Sequence, residues 1–176
     1  MILFQFLEVQ IHMAMTALDY EEIRQLIARY SHAIDFQDLD TFVKLFAPDG
    51  SFISDSVRPG VMGTHTGPDE LRAFATAVGA NALGHSRHNT SSTLIEGDGK
   101  AARSTTYCLS THDYGIPDKG TKGPLAGISR TGIYMDELVK LNGRWHFKTR
   151  KYRYDGDPKT APRSGDPLDI GRSFDS

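Results

Sequence analysis

The chain has 176 residues, 39% apolar and 24% charged, with a formal net charge of −2 when histidines are neutral. That length fits one domain with a single core, and the composition excludes disorder over most of it. Charges of both signs are interspersed without a basic face, which argues against a nucleic-acid partner. A single cysteine, Cys108, excludes an internal disulfide framework and fits a reducing, cytoplasmic compartment.

Residues 1–15 open with an apolar run, Ile2, Leu3, Phe4, Phe6 and Leu7, that is too short to span a bilayer. No Lys or Arg precedes Arg24, so the basic start of a secretory signal is missing. This stretch reads as an N-terminal extension, ahead of a domain over residues 16–154 and a polar tail over 155–176. No membrane partner is expected.

Asp19-Tyr20-Glu21-Glu22 has the form of a capping box. It opens a helix with Ile23, Leu26, Ile27, Tyr30 and Ile34 at helical spacing. Asp38 or Asp40 caps a second, short helix carrying Phe42, Leu45 and Phe46. Ala47-Pro48-Asp49-Gly50 turns the chain into a strand over Ser51–Ser54, and a Gly- and Pro-rich loop with a short strand follows to Gly67. Pro68, Asp69 and Glu70 start a third helix, with Leu71, Phe74, Ala75 and Val78 as its apolar stripe. The period then changes: Arg87–Ile95, Ala101–Thr111, Leu125–Leu141 and Arg144–Tyr154 read as strands. Gly97-Asp98-Gly99 and Asn142-Gly143 mark hairpin turns.

Three helices followed by a four-strand antiparallel meander is an α+β pattern. Helices cover one face of such a sheet, and if it curves a pocket is left between the layers. Gly127 and Gly132 are consistent with bends. The bare outer face, with Thr, Tyr, Leu and Val on the long strands, points to self-association as a dimer or trimer. The loop Asp113–Pro124 and the tail after Tyr154 are expected to control the pocket mouth.

Arg29-Tyr30-Ser31-His32-Ala33-Ile34-Asp35, Asp38 and Phe46-Ala47-Pro48-Asp49-Gly50 together resemble the opening of the SnoaL-like group of the nuclear transport factor 2-like superfamily. Arg87-His88, Gly132-Ile133-Tyr134-Met135-Asp136 and Asn142-Gly143-Arg144-Trp145 through Arg150 follow in the same order. The resemblance covers roughly Leu18 to Tyr154. It implies a cone-shaped α+β barrel: three N-terminal helices on a strongly curved antiparallel sheet that encloses a pocket. The group includes scytalone dehydratase, lindane dehydrochlorinase, polyketide cyclases and steroid isomerases.

The resemblance makes Asp35 and His88 a catalytic pair. A carboxylate that accepts the imidazole N–H fixes its tautomer, and the other ring nitrogen can then take a proton near neutral pH. The blander reading is a helix-capping Asp35 and an ordinary His88. Tyr30 matches a pocket tyrosine of the group; on an apolar stripe it is equally a core residue. Where Tyr30 stands the dehydrochlorinase pattern has lysine, which leans toward the dehydratase side. Arg150 matches an arginine that could hold a leaving group or oxyanion. Regular alternation, however, sends Trp145 and Arg150 to opposite faces, so a pocket role needs a bulge or strong twist. His112, Tyr107, Tyr134 and Ser92 are the remaining substrate-binding candidates; Ser92 stands where related sequences often have asparagine.

Other chemistries fit poorly. His85 and His88, three apart on a strand, face opposite ways, and no cysteine pair supports zinc. There is no phosphate-binding glycine loop and no nucleophile elbow. No metal and no cofactor is expected. The leading expectation is a cofactor-free lyase or isomerase acting on a small hydrophobic, aromatic or polyketide-like molecule. A non-catalytic small-molecule-binding domain and a structural subunit of an oligomer are the competing ones.

Overall fold

The computed structural model describes residues 14–55, 60–82, 85–113 and 126–156. The N-terminal extension up to residue 13, the body of the loop after Asp113 and the tail from residue 157 lie outside the described residues, and with them the expected cover of the pocket mouth.

Helix α1 runs Ala17–Asp35. Its cap is Thr16, not Asp19 as the sequence pattern implies. Asp19 is the third helical residue and closes the box from the other side: its amide donates to Thr16 Oγ1 (3.2 Å) while its Oδ2 accepts from the Thr16 amide (2.9 Å). The remaining carboxylate oxygen accepts from Lys140 Nζ (2.6 Å) and Trp145 Nε1 (2.9 Å), so the helix start is tied to the far hairpin of the sheet. The stripe Ile23, Leu26, Ile27, Tyr30 and Ile34 is buried as its spacing requires. Asp38 caps α2 (Leu39–Lys44), accepting from the Thr41 amide at 3.1 Å.

The Ala47–Gly50 segment does not end in a turn. It belongs to strand β1 (Phe46–Ser54), which pairs parallel with the last strand and shifts register between Phe46 and Ser51. Strand β2 (Gly63–Thr66) pairs with β1, and α3 spans Gly67–Ala82. Four long strands follow: β3 (Ser86–Gly97), β4 (Ala101–Asp113), β5 (Ala126–Leu141) and β6 (Arg144–Tyr154). The sheet is therefore six-stranded and mixed, in the order β2-β1-β6-β5-β4-β3: the expected four-strand antiparallel meander, β3 to β6, with β1 and β2 added beyond β6. The parallel β1–β6 pair is open to these strands because most of the chain separates them, and no tight hairpin constrains their direction. Asn142 and Gly143 take the positive φ angles (50° and 78°) that their turn demands.

This α+β architecture, helices on a curved cone-like sheet, is the one the sequence implies; β2 and β3 are its open edges. Bulges between the long strands curve the sheet. Ser92 and Thr93 together oppose Thr106, Ser129 is an extra residue of β5 against β4, and Lys148 is one of β6 against β5. The core lies between the helices and the inner sheet face, where Tyr30, Phe42, Phe46, Phe52, Phe74 and Phe147 meet. Leu94 and Tyr107 are exposed, and Tyr107 lies on the outer face, alternating with buried Thr106 and Cys108. Among the described residues no helix is long and apolar enough to cross a membrane.

Candidate active site

Helix α1 ends against the start of β3, and this contact sets the site. Asp35 sits in the last turn, where a carboxylate gains nothing from the helix dipole. Its partners explain it. Asp35 Oδ1 lies 2.6 Å from His88 Nδ1, and Oδ2 accepts the His88 backbone N–H at 2.8 Å. The capping duty that Asp35 could have performed falls to Asp38. A carboxylate only accepts, so in a neutral ring this contact places the proton on Nδ1 and the lone pair on Nε2. The Asp35 side chain is 6% exposed and that of His88 18%, a buried orienter behind an accessible ring.

His88 faces a cavity of ≈ 100 Å³ between the sheet and helices α1 and α3. That is several times the ~10–15 Å³ a single water needs. One wall is apolar: Ile34, Phe52, Val61, Phe74 and Val78. The opposite wall, from β3 to β5, is polar: Ser86, His88, Ser110, Ser129 and Arg130. Tyr30, Tyr134 and Tyr152 also line it. A larger depression of ≈ 780 Å³, bounded by Ala47, Glu96, Arg103, Leu138 and Lys148, is open to solvent and lacks the Asp35–His88 pair.

Tyr30 is both things its position allowed, a cavity wall and a core residue 2% exposed. Burial raises its phenol above the usual range, while Arg150 and a hydrogen bond with Tyr134 pull the other way. Burial also holds the Tyr134 phenol well above its usual value. Both hydroxyls are therefore protonated donors.

Arg150 differs from the expectation. The Lys148 bulge does resolve the parity conflict, burying Trp145 and Phe147 before it and Arg150 and Tyr152 after it. Yet Arg150 does not line the cavity. It is fully buried beneath the tyrosines, with its guanidinium carbon 4.1 Å from the Tyr30 ring centroid and 3.9 Å from that of Tyr134. Its Nη1 lies 3.4 Å from Asp136 Oδ2, which also accepts from Ser104 Oγ at 2.9 Å. Burial pushes the Asp136 carboxyl up, against the opposing pull of Arg150 and Ser104.

Three further expectations change. Tyr107 is 53% exposed on the outer face, because alternation along β4 gives the inner face to its neighbours. Ser92 sits in the β3 bulge with φ 53°, exposed and away from the cavity lining. His112 pairs across from Ser86 at the cavity's edge but is not a lining residue. Arg130, Ser110 and Ser129 were missed. Their register depends on the β4–β5 pairing, and the long connection between those strands hides it. Alternation back from Tyr134 would have found the Arg130 position and missed Ser129.

The profile of the SnoaL-like domain family matches residues 15–151. The chain belongs to this family. Among solved structures, the SnoaL-like chain is similar to a protein of unknown function with a cystatin-like fold from Nostoc punctiforme. Identity there is 25%, over 85% of this chain and 98% of that one, with a TM-score of 0.69. It is also similar to a protein of unknown function from Mycobacterium tuberculosis, at 26% identity over 87% and 82% of the two chains and a TM-score of 0.65. A putative scytalone dehydratase from Novosphingobium aromaticivorans shares the fold at 24% identity, over 78% and 84% of the chains, with a TM-score of 0.59. None of the curated proteins matches the chain.

Proposed function

We propose that this SnoaL-like protein is a cofactor-free lyase or isomerase, dehydratase-like, in which His88 is the general base and Asp35 orients it. The observation that carries the reading is the two-point grip of Asp35 on His88, a residue that lines the pocket between helices and sheet. Nε2 takes a proton from a carbon next to the substrate's carbonyl. The C–H electron pair moves into the C–C bond, and the carbonyl pair onto oxygen. The Tyr30 hydroxyl, which accepts from Tyr134, donates to the oxyanion, and Arg150 beneath their rings supports that charge. Return of the His88 proton to a β-hydroxyl releases water and completes a dehydration; its return to another carbon completes an isomerisation. The apolar wall favours small hydrophobic or aromatic substrates. A general base contributes about 10²–10⁴-fold, and positioning in the pocket must supply the remainder.

The test starts from the ligand that copurifies with the protein, identified by mass spectrometry. β-Hydroxy carbonyl compounds built around its skeleton are then followed by the ultraviolet absorbance of the unsaturated product. Turnover that collapses in His88→Ala while the melting temperature holds supports the reading. Turnover untouched by that change overturns it, and tight binding without turnover points to the non-catalytic binding domain. Self-association through the outer sheet face belongs to the same reading; sedimentation at micromolar concentration checks it.

A further inference from the structure

We propose that Arg130 makes the pocket selective for small organic acids, its guanidinium holding the carboxylate of the bound molecule. As a statement about substrate, this rests on the reading of the same pocket as the place where His88 acts.

The sheet register puts the two groups in one row. Ser110 of β4 lies directly opposite His88 of β3 on one side and Arg130 of β5 on the other. Opposed residues of antiparallel strands project to the same face. With neighbouring strands about 4.8 Å apart, the backbones of His88 and Arg130 are separated by about 10 Å across Ser110. A ligand gripped by Arg130 thus presents carbons a few bonds from its carboxylate to His88 Nε2.

Arg130 has the same inward parity as Tyr134, and an irregularity beside it adds Ser129 to the same wall. Consecutive strand residues ordinarily face opposite ways, yet Ser129 and Arg130 both line the cavity. The pairing shows why: Ser110 opposes Arg130 but Thr111 opposes Ile128, so Ser129 is the extra residue of a bulge. The Ser129 hydroxyl donates to Ser110 O at 3.0 Å and fastens the bulge to β4. Bulges of this kind re-aim side chains beside binding sites.

The charge of Arg130 is unmatched. Arg72, Lys140, Lys148 and Arg150 each have a carboxylate oxygen within 4.0 Å. Arg130 has none among the described residues; its guanidinium lies 5.7 Å from the Tyr154 ring centroid. No Asp or Glu among the described residues lines the cavity. A half-buried guanidinium with a planar fork of donors and no counter-ion is complementary to a carboxylate, which it can grip with two parallel hydrogen bonds. Across the cavity Phe52, Phe74 and Val78 offer an apolar surface for the rest of the molecule. The ligand class is a compact apolar or aromatic body bearing one carboxylate.

Benzoate and benzamide, nearly identical in shape and different in charge, are the probes. Their binding to the full chain is measured by calorimetry and ligand-observed NMR at low ionic strength. Benzoate is expected to bind about 10-fold more tightly than benzamide, the ratio that one charge-assisted contact supports. In Arg130→Gln that preference should vanish while benzamide affinity is unchanged, which also shows the pocket intact. Arg130→Lys should retain part of it, and His88→Asn should keep it whole. Equal affinities in the native protein, no benzoate binding at millimolar concentration, or a preference that survives Arg130→Gln would overturn the proposal. Because the readout is binding, failure of His88 as a base leaves this result readable.

Discussion

Both carboxylate oxygens of Asp35 are committed to a single residue, His88: one to the ring at Nδ1 (2.6 Å), the other to the backbone N–H (2.8 Å). The grip fixes the ring's tautomer and its rotation together. It also joins the end of α1 to the first long strand, so the site forms only once the helical layer has docked on the sheet.

Asp35→Asn should therefore release the tautomer without emptying the pocket. Nitrogen-15 NMR of the native protein is expected to show His88 Nδ1 protonated and Nε2 bare; the variant should show a mixture. Any turnover should fall about 10²–10⁴-fold. A single unchanged tautomer in the variant would remove Asp35 from the orienting role.

The Arg150–Asp136 pair has 0% exposure on both side chains, so neither charge can turn to water when the other is removed. Arg150→Met should cost about 3–5 kcal/mol, because it strands a buried carboxylate. Adding Asp136→Asn should recover a large part of that loss. Urea unfolding of the two single variants and the double variant measures the coupling.

Asp19 is held well below the usual carboxylate range, first by Lys140 and then by the Thr16 cap. Its folded value is depressed, so its stabilisation is complete above the unfolded value of about 3.9. It is lost as pH falls toward the folded value. Asp19→Asn should cost about 1–3 kcal/mol at neutral pH through its weakened hydrogen bonds. It should also flatten the dependence of the urea midpoint on pH below about 4. A variant with native acid sensitivity would place the responsible carboxylate elsewhere.

Gly132 packs where β5 crosses β6, and a methyl group there would strike the Arg153 carbonyl and the Tyr152 ring, the latter at 2.7 Å. The carbonyl belongs to a paired strand and cannot swing aside. Gly132→Ala should lower stability by about 1–3 kcal/mol, the usual cost of overpacking. It should also disturb Tyr152 in the cavity wall, so thermal unfolding and benzoate affinity should change together.

Much of this protein is local and therefore legible in its sequence. Helical spacing marked the α1 stripe, Asp38 or Asp40 announced the second helix, and Asn142-Gly143 fixed the last hairpin, each through contacts a few residues apart. The motif around Tyr30 and Asp35, with Arg87-His88, pointed to the family. What the sequence could not decide were the contacts between distant segments. Asp19 looked like a cap because its pairing with Lys140 and Trp145 lies across the fold. The parallel β1–β6 pair has no local signature. Above all, bulges break the two-residue period that strand reading depends on. The extra residue at Lys148 buried Arg150 under the tyrosines, the one at Ser92 turned that serine outward, and the one at Ser129 brought that serine into the pocket wall beside Arg130. Each is settled by the register between two strands, an equilibrium among whole pairings that only the packed sheet resolves.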